Sequence, residues 1–334
     1  MSPVTSRSDV ASDVALDTVV PFQVEALDAR GRAVLLGPTL DTILSRHDYP
    51  EPVARLLAEM TVLTVLLGTS LKFSGKFILQ TQTDGPVSLL VVDLVTPDKV
   101  RAYARFDETA VDAAVQAGAV SSEEMLGKGT LVLTIDQGQY MNRYQGIVQL
   151  DGSSLEEVAH NYFRQSEQIP TQVRLAVGTV TEPAGMDGVR HSWRAGGLLA
   201  QFLPESEERM KTGDLSPGEV PDGFVLDEPD LDDAWTEIMA LVGTVDADEL
   251  LDEKIGAERL LFRLFHERGV RVFDGTPVKQ ECSCSEEKVE NVIRSMTKEE
   301  RDEAVEDGRI SVKCEFCSAS YVFDPAQFDR QRAN

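Results

Sequence analysis

The sequence predicts an α+β fold: a strand-rich N-terminal domain with a few helices, a helical linker and a small C-terminal module. Short β-rich runs separated by turn signals dominate residues 19–204. Amphipathic helical patterns follow an acidic stretch, and all four cysteines lie within residues 282–317. We therefore predict a mobile tail at 1–18, an α+β domain at 19–204, an acidic connector with a metastable helical linker at 205–279, and the cysteine module at 280–334.

Composition narrows the classes of function. The 334 residues, 42% of them hydrophobic, suffice for a well-buried globular core, and the net charge of −25 would repel nucleic acid and anionic membranes. The N-terminal residues lack the order of a signal peptide, which predicts a cytoplasmic protein. The longest apolar run, "VARLLAEMTVLTVLLGTSL", contains Arg55 and Glu59, so we interpret it as a buried helix rather than a membrane span.

The first elements of the N-terminal domain follow from apolar runs and turn residues. "PFQVEALDARGRAVLLG" predicts a hairpin around Asp28. A helix over Leu56 to Leu67 precedes "KFSGKFILQTQTDGPVSLLVVDL", two strands joined at Asp84-Gly85-Pro86, where Gly permits a positive φ and Pro ends the pairing. "KVRAYARF", "GTLVLTIDQG" and "YQGIVQLDG" continue the series of strands.

A helix and two strands complete this domain. "SSLEEVAHNYFRQSEQ" predicts a helix capped by Ser154, with Val158, Tyr162 and Phe163 on one face. Strands are predicted at "TQVRLAVGTVT" and around "HSWRAGGLLAQFLP". The domain should therefore end near Pro204.

The composition changes in the linker. Residues 205–233 contain eleven Asp or Glu against two Lys or Arg, which predicts a flexible acidic connector. Three amphipathic helices are predicted next, at "LDDAWTEIMALVG", "ADELLD" and "GAERLLFRLFHERG". Leu260, Leu261, Leu264 and Phe265 form an apolar stripe on the third. Because these helices are too short to be stable alone, they must dock on another surface.

The cysteines predict a metal site. They are spaced C-x-C, then 29 residues, then C-x-x-C, and four thiolates in two close pairs suit tetrahedral Zn²⁺. Between the pairs, Ser285 can cap a helix with one apolar face (Val289, Val292, Ile293 and Met296). Thr297 and Glu300 form a capping box for a second helix ending at Gly308, and "RISVKCEFC" follows as a strand. The predicted zinc ligands are Cys282, Cys284, Cys314 and Cys317.

Spacing alone leaves the role of such a site open. A zinc that only stabilises the module is one reading, and a redox role is another, because Cys282 and Cys284 could close into a small disulfide if the metal left. The four histidines have no metal or triad spacing. Two rival functions remain, a thiol–disulfide oxidoreductase using Cys314-Glu315-Phe316-Cys317 and a constitutive zinc-stabilised binding module.

Several motifs together resemble a known family. "CSC" followed by "VENVIRSM", and "KCEFC" followed by "YVFD", resemble the C-terminal zinc module of the heat shock protein 33 family, the bacterial redox-regulated holding chaperones. The resemblance extends through "RLFHERGVRVFDGTPV", "YFRQSEQIPT", "YMNRYQGIVQL" and "GKFILQTQTDGP", and so covers most of residues 19–328. The chain departs from the family pattern in its N-terminal tail and in an acidic insertion within about 205–230.

The resemblance implies a function and a chemistry. It implies a non-enzymatic holdase that is inactive while reduced and zinc-bound, and active after oxidation with zinc release and linker unfolding. It also implies that oxidation pairs Cys282 with Cys284, and Cys314 with Cys317. The implied active form is a homodimer, and the implied partners are unfolding client proteins, without nucleic acid or membrane.

Overall fold

The computed structural model describes residues 16–138, 143–183, 188–203 and 232–329. It confirms the predicted α+β class, with two six-stranded sheets, a set of helices and a small C-terminal sheet. Residues 1–15 of the predicted tail and 205–231 of the predicted connector lie outside the described residues. The first strand begins at Thr18.

The first sheet has the order β10-β1-β2-β9-β8, with β11 also paired to β1. The predicted hairpin is present, with Asp28 at φ 48° after one turn of 3-10 helix at Glu25–Leu27. Two short strands from the far side of the linker complete the sheet, and no strand was predicted there. The strands are β1 Thr18–Val24, β2 Ala29–Leu36, β8 Thr171–Pro183, β9 Val189–Phe202, β10 Arg271–Val272 and β11 Thr276–Pro277.

The second sheet has the order β12-β5-β4-β3-β6-β7. Asp84-Gly85-Pro86 joins β3 to β4 as predicted, but the predicted reason was wrong: Gly85 does not have a positive φ, and its lack of a side chain instead admits the Leu126 carbonyl oxygen, 2.4 Å from where a Cβ would lie. All pairings are antiparallel except that of β12 with β5, which is parallel. The strands are β3 Lys76–Thr83, β4 Val87–Val95, β5 Lys99–Phe106, β6 Lys128–Asp136, β7 Tyr144–Asp151 and β12 Lys279–Gln280.

One long helix joins the two sheets into a single core. It packs on strands of both sheets, and among the described residues it is the one helix long and apolar enough to cross a membrane. Since 78% of that apolar window is buried, it is a core helix, as the sequence predicts. The helices of this part are α1 Pro38–Leu44, α2 Glu51–Ser70 (the core helix), α3 Glu108–Ala117, α4 Ser122–Leu126 and α5 Leu155–Tyr162.

The three predicted linker helices are present and dock on the first sheet. They are α6 Asp233–Gly243, α7 Ala247–Leu251 and α8 Gly256–Phe265. On α8, Leu260, Leu261 and Phe265 are buried, and the Phe265 ring stacks on Phe22 of β1 with 5.6 Å between the centroids. The linker helices therefore share an apolar core with the face of the first sheet opposite to α2.

The C-terminal module has a small core of its own, formed by Ile293, Ile310, Phe323 and Phe328. Two sequence-based details were wrong. Val292 is 57% exposed, whereas Ile293 is buried and Val289 packs against the small core. The second helix ends at Glu303 rather than at Gly308, before a tight hairpin in which Asp307 and Gly308 both have positive φ. The elements are α9 Glu286–Ser295, α10 Lys298–Glu303, β13 Val305–Glu306, β14 Arg309–Lys313, β15 Ser320–Phe323 and α11 Ala326–Asp329.

Candidate metal centre

Each cysteine lies where a regular element begins or ends. Cys282 follows β12, and Cys284 precedes Ser285, whose hydroxyl accepts a hydrogen bond from the Lys288 N–H and caps α9. Cys314 and Cys317 lie in the turn between β14 and β15, closed by a hydrogen bond of 2.8 Å from the Cys314 N–H to the Ala319 carbonyl. The two pairs of cysteines are thus positioned by different elements and meet only in the folded module.

The structure brings together all four predicted ligands. Their sulfur atoms lie within 4.8 Å of one another, and none of the four is in a disulfide. The Sγ atoms of Cys282 and Cys314 are 3.8 Å apart, and those of Cys284 and Cys317 are 3.3 Å apart. A tetrahedral zinc with Zn–S bonds of about 2.3 Å separates its sulfurs by about 3.8 Å. The four sulfurs therefore fit a tetrahedral metal ion.

The thiols differ in acidity. Burial by itself would raise the pKa of Cys282, but hydrogen bonds from the backbone N–H and thiol of Cys284 and from Arg101 lower it to about 7. Burial raises the pKa of Cys317 to about 12, and burial also raises the pKa of Cys314. Since a metal binds thiolates, binding here must release protons, and acid must weaken it.

Two side chains that the sequence analysis did not single out contact the sulfurs. The Tyr321 hydroxyl donates a hydrogen bond of 3.2 Å to Cys284 Sγ, and Arg101 Nη1 of β5 lies 3.8 Å from Cys282 Sγ. Tyr321 is on the strand that follows the C-x-x-C turn, so proximity in sequence was a weak signal for it. Arg101 is 181 residues from Cys282, and no spacing pattern could have indicated it.

The histidines do not belong to the cysteine cluster. Among the described residues, the four cysteines are the one group of His, Cys, Asp and Glu arranged to hold a metal ion. His160 Nε2 accepts a hydrogen bond from the Val173 N–H, which gives this histidine a structural role. His47 lies in a turn, and its Nδ1 is 3.4 Å from the hydroxyl of Ser318 in the C-x-x-C turn.

Comparisons with known proteins point to one family over nearly the whole chain. The family model described as Hsp33 protein matches residues 17–324. A 33 kDa chaperonin of Caulobacter vibrioides is 45% identical over 323 residues, covering 95% of this chain and 99% of the relative. One of Proteus mirabilis is 35% identical over 308 residues, covering 92% and 93%.

A solved structure supports the fold independently. The crystal structure of the 33 kDa chaperonin of Thermotoga maritima, a heat shock protein 33 homologue, superposes with a TM-score of 0.69, covering 94% of this chain and 97% of that one. At 19% identity, this likeness shows the fold alone. The family match over residues 17–324 and the relatives at 45% and 35% identity show that this chain belongs to the heat shock protein 33 family.

Proposed function

We propose that the protein is a redox-regulated holding chaperone, inactive while reduced and zinc-bound and activated by oxidation of its four cysteines. Membership of the family and the chaperonin names of the relatives support the chaperone activity and the absence of an enzymatic one. The regulation is our inference from the contacts of the linker and of the cysteine module.

The observation that carries the proposal is the apolar face beneath the linker. The helices α6 to α8 bury ten apolar side chains of the N-terminal domain in one cluster with their own. If the linker detached, this face would be exposed as one apolar patch, the type of surface that binds unfolded chains. The buried residues of the face are Val20, Phe22, Val24, Leu27, Ala29, Ala33, Ala176, Leu198, Ala200 and Phe202.

The cysteine cluster suits a control element because the module that contains it has little other support. Its core has four buried side chains, whereas a bound structural zinc supplies on the order of 10 kcal/mol of folding free energy. The four sulfurs would bind the metal as thiolates, the form that reacts with peroxide. Losing the metal should therefore unfold the module and weaken the docking of the linker before it.

Oxidation is proposed to form the disulfides Cys282–Cys284 and Cys314–Cys317. In each, two thiolates lose two electrons and form one S–S bond, while one hydrogen peroxide takes up the electrons and two protons to give two waters. All four sulfurs lie within 4.8 Å of one another, but an S–S bond is about 2.05 Å long, so either pairing requires the sulfurs to leave the positions that fit a metal ion. Disulfide formation and metal binding should therefore exclude each other.

The localisation, oligomeric state and partners of the protein are also part of the proposal. We propose a cytoplasmic protein whose active form is a homodimer and whose partners are unfolded or partly folded proteins. The net charge of −25 disfavours nucleic acid and would keep a chaperone with bound client in solution. Among the described residues, the one helix long and apolar enough to cross a membrane is α2, and it is mostly buried in the core.

The test is to measure zinc release and suppression of aggregation together while peroxide is added to reduced, zinc-loaded protein. We expect one zinc per chain to leave as four thiols are lost, and protection of a thermally unfolding protein to rise with the same time course. Cys284→Ser, which removes one ligand without deleting the module, should bind zinc weakly and lose this coupling. Protection that is equal before and after oxidation would instead indicate a constitutive binding module, and catalytic turnover of a disulfide substrate would indicate an oxidoreductase.

A further inference from the structure

We propose that Arg101, in the N-terminal domain, is a positioning residue of the metal centre, so that metal binding and docking of the C-terminal module stabilise each other. The inference rests on the proposed binding of zinc by the four cysteines. Arg101 lies outside the cysteine module, on a different sheet, and would be one of the residues that surround the metal ligands.

Strand pairing places Arg101 beside the first ligand. β12 runs parallel to β5, with Lys279 opposite Lys99 and Gln280 opposite Val100. The Glu281 N–H extends this ladder by donating a hydrogen bond of 3.1 Å to the Val100 carbonyl. Continued by one residue, this register places Glu281 opposite Arg101; Cys282 follows directly, and its Sγ is 3.8 Å from Nη1 of Arg101.

The guanidinium of Arg101 is fixed in this position by a buried carboxylate. Its Nε and Nη2 atoms donate hydrogen bonds of 2.8 and 2.5 Å to the same oxygen of Asp93 on β4. The side chain of Asp93 is 4% exposed and that of Arg101 is 16% exposed. An Arg that is paired and largely buried in this way loses little further entropy when it contacts a ligand, and its planar guanidinium can contact two partners at once.

The same guanidinium also contacts the second pair of ligands. Its central carbon lies 3.9 Å from the ring centroid of Phe316, the residue before Cys317 in the C-x-x-C turn. A cation over an aromatic ring at this distance is attracted to it, more strongly where water is excluded. One side chain of the N-terminal domain therefore contacts a sulfur of the C-x-C pair and the turn that presents the C-x-x-C pair.

The other polar contacts of this interface do not reach a sulfur. Arg105, on the same strand, forms an ion pair of 3.4 Å with Glu315, but both side chains are more than half exposed. Such exposed pairs contribute little to stability. The Ser318 hydroxyl donates a hydrogen bond of 2.8 Å to the Arg46 carbonyl and fixes the turn without touching a ligand atom. Arg101 is thus the contact expected to act on the metal site.

The expected consequence is a linkage between two equilibria. Arg101 contacts both Cys282 Sγ and the ring of Phe316, and residues that orient metal ligands change affinity by about 10- to 100-fold when they are removed. Because the coupling is reciprocal, metal binding should strengthen the docking of the module on β5 by the same factor.

The test compares Arg101→Met with the matched control Arg105→Met in the reduced full-length protein. Zinc affinity is measured by competition with a chromophoric chelator, and hydrogen exchange at β5 and β12 is followed with and without zinc. We expect Arg101→Met to weaken zinc binding about tenfold or more and to reduce the zinc-dependent protection at β5. Arg105→Met should match the parent in both measurements, and Arg101→Lys, which keeps the charge without the fork, should fall between them.

The results separate this inference from the proposed function. A parent protein that binds no zinc would overturn both, whereas zinc affinities equal in the parent, Arg101→Met and Arg105→Met would overturn only the role of Arg101. If Arg101→Met fails to fold, Phe316→Leu removes the stacked ring from the module side. That variant should then show weaker zinc binding and less protection at β5, and an unchanged affinity in it would also refute the inference.

Discussion

Replacing Phe265 by Ala should open the linker of the reduced protein without touching the metal site. Phe265 is 1% exposed, its ring stacks on Phe22, and it lies on α8 among the side chains that cover the first sheet. Phe262, one turn earlier on the same helix, is 61% exposed. Phe262→Ala is therefore a matched control that changes the same residue type in the same helix without altering the buried contact.

The magnitude follows from burial. Truncating a buried Phe to Ala costs about 3–5 kcal/mol, and each tenfold change in an equilibrium constant corresponds to about 1.4 kcal/mol. Because α8 has ten residues and depends on docking, most of this loss should appear as local opening rather than global unfolding. The opening equilibrium of the linker should therefore rise by about two to four powers of ten.

The assay has three measurements on reduced, zinc-loaded protein. Hydrogen exchange should show faster exchange in α6 to α8 for Phe265→Ala and little change for Phe262→Ala. Zinc content should remain that of the parent, and suppression of aggregation should increase in Phe265→Ala alone. Equal protection of α8 in the two variants would refute the proposed docking, while opening without a gain in activity would show that the uncovered face is not the client site.

Three further predictions concern other parts of the same structure. In Gly196→Ala, the new Cβ would lie 2.2 Å from the Leu250 carbonyl oxygen, so α7 must shift and protease sensitivity of the linker should rise; Gly243→Ala, which meets nothing within 4 Å, is the neutral control. A chain ending at residue 203 should keep the α2 core but bind a hydrophobic dye more strongly than the reduced full-length protein, because the first sheet loses its cover. Burial raises the pKa of Glu59 on α2 from 4.5 to about 7, so the folded state favours the protonated acid. The free energy of unfolding should therefore fall as the pH rises from 4.5 to 7. Denaturant titrations of Glu59→Gln should show no such fall.

The elements that could be predicted well are helices whose apolar residues recur over several turns and strands whose apolar and polar residues alternate over several positions. The linker helices were predictable because Leu260, Leu261 and Phe265 recur at helical spacing. Their docking surface was not predictable, since it depends on the absence of a Cβ at Gly196, where the Leu250 backbone approaches β9. The four cysteines could be found from spacing alone, because ligands of a small module lie close together in the chain.

The connections between the parts of the molecule escaped sequence reasoning. Strands β10, β11 and β12 have two residues each, too few for any alternation to be visible. Arg101 fits the alternating pattern of β5 like its neighbours, so the sequence does not distinguish it. Its contact with Cys282 depends on how β12 is aligned with β5. Val292 was assigned to the buried face because helical spacing defines a face, but it does not say how much of that face a small core can cover.

These short connections join the cysteine module to the two sheets. The ladder between β12 and β5 includes the hydrogen bonds of Lys279 N–H to the Asp98 carbonyl, 2.8 Å, and of Glu281 N–H to the Val100 carbonyl, 3.1 Å. At about 1 kcal/mol net each, they contribute roughly 2 kcal/mol, against the order of 10 kcal/mol expected of a structural zinc. These two bonds are thus too weak to keep a metal-free module folded and docked, whereas release of β12 should weaken zinc binding by the same coupling free energy by which zinc strengthens docking. Oxidation at the cysteines should thus detach the module from the second sheet first, and the linker helices, joined to Cys282 through β10, β11 and β12, should open afterwards.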